Sequence, residues 1–214
     1  MNRSTLLAAL LTTTLCGAAL AEPVPPPDWK PDPMQAVALP VKPATRLALG
    51  RFTVSLAKTT LKQVRDALGA GKIEESAGDG RSWLCYTVQT GAAPERLWLV
   101  ADGALGGPEH RVTLLHALQL PALLPSPRCP LLPRRFLPAR FNKDLWLKQP
   151  SLKVTQAFGQ PSVNADARWS YAHTAKTTTA GKDGAPQLEV SNRVEAQIRD
   201  GAISAIIATQ TSVE

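Results

Sequence analysis

The sequence predicts an α+β protein of two tandem repeats, each a short helical pair packed on a three- or four-stranded antiparallel sheet. Three observations lead there. "VTQAFGQPSVNADARWSY" (154–171) reads as a helix end, a glycine stop, a polar loop and an aromatic strand, and "VRDALGAGKIEESAGDGRSWLCY" (64–86) repeats that order. β-rich runs follow each helix: 81–89, 95–101 and 110–118, then 168–174, 187–199 and 202–210. Asp200-Gly201 between the last two is a hairpin signal, because both residues tolerate the positive φ of a type I′ turn.

In chain order, residues 1–21 come first. They combine Arg3, an apolar run broken by three threonines, and the small-x-small ending Ala19-Leu20-Ala21. That pattern is a secretory signal peptide cut between Ala21 and Glu22. The run is shorter than the roughly 20 apolar residues a membrane span needs. Lipid attachment at Cys16 is the alternative, weakened by Leu15 where a small residue is expected. The mature chain is then expected in the periplasm or secreted.

Residues 22–46 form a proline-rich leader, expected to be extended, either draped over the folded part or hanging loose. The first repeat follows over 47–119. Thr60 with Gln63 makes a capping box, Leu61, Val64 and Leu68 share a helical face, and Gly69 stops the helix. Residues 120–139 form a second proline-rich segment, an expected inter-domain connector whose prolines exclude helix and central strand. The second repeat occupies 140–214, with Ser151 as N-cap, Val154 and Phe158 four apart, and Gly159 as the stop.

Cys16 leaves with the signal, so Cys85 and Cys129 remain. In an oxidising compartment a structural disulfide is favoured over a free pair. It would close a loop with 43 residues between its ends, worth about 4 kcal/mol on chain-entropy grounds. Removal of Arg3 leaves 23 Lys+Arg against 17 Asp+Glu, a charge of +6. For an exported chain this favours an anionic membrane surface or an acidic protein over nucleic acid, with plain solubility the bland reading.

The motifs that usually carry chemistry are missing. His110, His116 and His173 stand in no metal-binding spacing, and there is no G-x-S-x-G or phosphate loop. No catalytic residue, metal ligand or small-molecule cofactor is therefore assigned. A Cys85–His nucleophile would require a free thiol. The candidate partner-binding residues are aromatic and basic. Trp169 and Tyr171 alternate onto one sheet face, Trp83 and Tyr86 fall on opposite faces, and Trp98 lies on the next strand. The basic stretch 134–148 contributes Arg134, Arg135 and Arg140 for an acidic or anionic surface.

The helix ending V-x-x-A-[LF]-G, the W-x-Y strand of 169–171 and the Asp-Gly hairpin in "VEAQIRDGAISAI" together resemble the SmpA/OmlA (BamE-like) envelope domain. The match covers about 145–210, with 54–118 as a weaker copy carrying "WLCY" in place of W-x-Y. The tandem arrangement is also similar to that of the β-lactamase inhibitory protein family. The first resemblance implies a non-enzymatic accessory of outer-membrane assembly or maintenance that binds an envelope or secreted protein. The second implies an inhibitor or immunity protein against a specific enzyme.

Overall fold

A computed structural model describes residues 22–28, 36–91, 93–102, 110–122, 126–161, 168–178 and 187–213. The expected signal peptide and most of the polar loop after Gly159 lie outside these residues. Eleven strands are described: β1 (Val37–Ala38), β2 (Arg46–Leu49), β3 (Phe52–Ser55), β4 (Glu74–Glu75), β5 (Ser82–Val88), β6 (Glu95–Ala101), β7 (Leu114–Gln119), β8 (Ala139–Phe141), β9 (Arg168–Thr178), β10 (Gln187–Arg199) and β11 (Ala202–Val213). Two helices accompany them, α1 (Leu61–Leu68) and α2 (Leu152–Phe158).

These elements overturn the expected pair of helix-on-sheet repeats. One sheet of eight strands runs in the order β1-β9-β10-β11-β7-β6-β5-β4, and a separate sheet has the order β3-β2-β8. The halves are fused where β7 pairs antiparallel with β11, from Leu114 opposite Thr209 to Leu118 opposite Ala205. Two separate sheets would each present an unpaired edge there, and joining them removes both edges. Among the described residues, each half carries one α-helix rather than a pair. Short 3-10 turns also occur at Arg134–Phe136 and Asn142–Asp144.

The local signals otherwise map well onto structure. Thr60 Oγ1 accepts from the Gln63 backbone N–H at 3.2 Å, and Gln63 Oε1 accepts from the Thr60 N–H at 2.9 Å, closing the capping box. Gly69 takes φ +68°, where its missing Cβ makes the left-handed stop cheap. In α2, Gly159 also ends the helix, but the Ser151 side chain makes no capping hydrogen bond. Asp200 and Gly201 both have positive φ, as a type I′ turn requires.

Sheet alternation builds two apolar layers. On the helix side, Leu84, Tyr86, Leu97, Leu99, Leu115, Ile206, Val194 and Tyr171 join α1, α2 and the three-stranded sheet in one buried cluster. On the opposite side, Trp83, Cys85, Trp98, Val100 and Cys129 form a second cluster, with Val24, Leu114 and Leu118 packed against it. β5 and β6 are buried along their whole length, as strands covered on both faces should be.

Two polar networks tie distant segments together. Asn192, fully buried, accepts from the Ala44 N–H at 3.0 Å and donates to the carbonyls of Ala44 (2.6 Å) and Thr209 (2.9 Å). The leader's end is thereby fixed to β10. Glu95, 1% exposed, accepts from Trp146 Nε1 at 2.8 Å and pairs with Lys148 Nζ at 2.8 Å, locking the 145–149 segment to β6. Such buried charge persists only with partners of this kind.

Candidate functional site

The disulfide expected from the sequence is present between Cys85 and Cys129. It commits the Cys85 sulfur and so removes the nucleophile reading. It also fixes the connector on the sheet. Around it, Thr87 Oγ1 donates to the Cys129 carbonyl (2.8 Å), the Thr87 N–H to Pro130 O (2.9 Å), and the Leu132 N–H to Thr87 O (2.8 Å). The connector thus runs as a short pseudo-strand beside β5, and β4 covers the other end of the same edge. Arg128 adds an ion pair to Glu74 at 2.7 Å.

Held this way, the connector cannot hide all of its apolar side chains. Phe136 and Leu132 enter the core, while Leu131 remains 60% exposed. It borders an open groove of about 520 Å³ whose lining includes Gln89, Leu132, Pro133, Arg134 and Leu137. Arg134 is exposed in its lining; Arg135, also exposed, holds its guanidinium 4.9 Å from the centre of the Phe136 ring. Arg140 is engaged differently: it lies half-buried and pairs with Asp144 at 3.1 Å. The structure therefore keeps Arg134 at the groove, turns Arg135 toward Phe136 and the Gly69 end of α1, and sends Arg140 into a local pair.

The aromatic candidates are distributed otherwise. Tyr171 is fully buried, its ring 5.2 Å from Phe158 and its hydroxyl donating to Gly159 O at 2.9 Å. Burial holds its hydroxyl pKa above the usual tyrosine value. Trp169 packs half-buried on the same core, so the shared face read from alternation is the helix-covered one and offers no open contact surface. Trp83 and Trp98 lie on the opposite side, 5% and 3% exposed. Both indole N–H groups donate to the same acceptor, the carbonyl of Val24, at 3.0 and 3.1 Å.

The leader is therefore draped rather than loose at residues 22–28. That contact was not legible from the sequence, although a proline run and two β-strand tryptophans were both visible.

Across the same face, register places Ser170, Glu195, Ile207, His116, Trp98 and Cys85 in one transverse row. His116 tilts against Trp98 at 5.4 Å, and burial pushes its imidazole down to about 4, leaving it neutral near pH 7. Burial raises the Glu195 carboxyl, opposed by Arg193 at 3.3 Å. Each member of the row is at most 5% exposed, so this strip of the sheet face is covered.

Among the described residues no group of three or more His, Cys, Asp and Glu could hold a metal, and no helix is long and apolar enough to cross a membrane. Compared with family models, curated proteins and solved structures, the chain matches none.

Proposed function

We propose that this is an exported, non-enzymatic protein-binding module of the cell envelope, which docks an acidic partner on the connector surface around Leu131, Arg134 and Arg135. One observation carries the reading. A disulfide and a β-bridge hold the connector in place, yet it leaves a large leucine 60% exposed in a groove lined also by Arg134, with Arg135 exposed next to it in sequence. Exposed leucine on a stiff backbone loses little entropy on binding, and prolines at 127, 130 and 133 stiffen it further. Neighbouring guanidinium groups select carboxylates and speed the encounter. The disulfide fits the oxidising compartment to which the expected signal peptide would send the chain.

The test is affinity capture from envelope extract with residues 22–214, using wild type, Leu131→Glu and Arg134→Glu/Arg135→Glu. The reading expects one stoichiometric envelope protein whose capture weakens with salt and falls at least tenfold with either variant. Capture that is unchanged by both variants refutes the assigned surface. A captured enzyme whose activity is blocked would make the chain an inhibitor instead.

A further inference from the structure

The leader's seat on Trp83 and Trp98 is built like a peptide-binding cleft. An extended proline-rich chain has no internal hydrogen bonds, so its carbonyls keep both lone pairs available. Val24 O uses both, one for each indole N–H. Val24 packs, partly buried, against the cluster of Trp83, Cys85, Trp98, Val100 and Cys129. Pro26 is buried, while Pro25 and Pro27 point outward. The Asp28 carboxylate lies 4.0 Å from Arg81, whose guanidinium is held in place by Asp79. The seat therefore reads an apolar residue, a proline and an acid at alternate positions, over two aromatic donors. Aromatic-lined grooves recognise proline-rich segments by this combination.

The resident segment fills its seat incompletely. Asp28 is 89% exposed despite facing Arg81, and an open groove of about 350 Å³ remains between Pro25–Asp28 and Ser76, Arg81 and Trp83. A second copy would present the same leader and gain nothing over the resident one. A different segment that filled the groove and closed fully on Arg81 would gain.

We propose that the Trp83–Trp98–Arg81 cleft is a docking site for an extended proline-rich segment of a second protein, of pattern apolar-x-Pro-x-acid. Residues 22–28 occupy it as a built-in competitor. The site lies apart from the connector groove and stands or falls independently of it.

Tethering gives the leader an effective concentration on the order of millimolar, so a free ligand must compete with it. The experiment uses ¹⁵N-labelled residues 22–214 as wild type and as Val24→Asp/Pro26→Gly, in which the leader is unseated. The probe is the peptide Glu-Pro-Val-Pro-Pro-Pro-Asp with blocked ends, and the signals are the indole N–H resonances of Trp83 and Trp98. In the unseated variant the peptide should shift both resonances with half-saturation about tenfold lower than in wild type, and a scrambled peptide should not. An oxidised, folded variant that ignores the peptide, or answers the scrambled one equally, overturns the proposal. If the variant does not fold, wild type titrated to roughly 10 mM peptide supplies the same signals, and their constancy overturns it too. Leader exchange between labelled and unlabelled wild-type chains would assign the site to a second copy and overturn the choice of partner.

Discussion

Replacing both Cys85 and Cys129 by alanine should show how much of the fold depends on the connector. The two residues are 44 apart in sequence. Opening a closed loop of that size returns entropy to the unfolded chain worth about 4 kcal/mol. Both sulfurs are at most 2% exposed, between Trp83, Trp98 and Val100. Truncating them removes about 1 kcal/mol more of packing. For a chain of this size, such a loss lowers Tm by roughly 10–20 °C. Urea unfolding followed by tryptophan fluorescence, wild type against the double variant, measures the difference directly. Amide exchange then locates it: the Thr87 and Leu132 N–H groups, bonded to Pro130 O and Thr87 O, should lose protection first. A difference below about 1 kcal/mol would refute the reasoning. It would mean that the connector is held by its pseudo-strand and by Phe136 without the covalent tie.

Other outcomes follow from the packed interior. Asn192→Ala removes three hydrogen bonds, two of them buried, and strands the Ala44 N–H and carbonyl; chemical denaturation should register a loss of about 3 kcal/mol. Gly71→Ala would place a Cβ 2.9 Å from the Tyr86 hydroxyl at φ +93°, so its thermal midpoint should fall by an amount equivalent to about 2 kcal/mol or more. His116 stays neutral in the fold down to about pH 4 but charges near 6.5 when unfolded. Between those values the unfolded state binds more protons, so acidification from pH 6.5 to 4 should withdraw up to about 3 kcal/mol. The raised Glu195 carboxyl acts with the opposite sign, so the change is read as wild type minus His116→Gln, whose profile should be flatter across that window.

Short-range chemistry was legible in this sequence, and long-range pairing was not. The capping box at Thr60, the glycine stops at Gly69 and Gly159, and the Asp200-Gly201 turn each follow from a few adjacent residues, and each holds. So does the expected pairing of Cys85 with Cys129. The fused sheet depends on β7 meeting β11 across some ninety residues, and no local pattern encodes that partnership. A signal did exist: "WLCYTV" and "RLWLVA" are apolar on both faces, which argues against strands with one wet side. In the same way Leu47 and Leu49, alternating ahead of the Gly50 turn, mark the β2–β3 hairpin. Among the candidate binding residues, alternation paired Trp169 with Tyr171 correctly. It could not say which face α2 would cover, because that choice is made by Phe158 against Tyr171.

The pairing of β7 with β11 also decides when this protein can fold. β11 is a central strand of the eight, and β7 precedes it by most of the second half of the chain. Until residues 202–213 are available, the first half has an apolar strand edge with no partner. Non-local pairing of this kind is intrinsically slow, and an open apolar strand edge favours aggregation until it is paired. A molecule translocated from its N-terminus would therefore need shielding until its C-terminal hairpin is through. Clipping within that hairpin would remove the middle of the sheet rather than trim its margin.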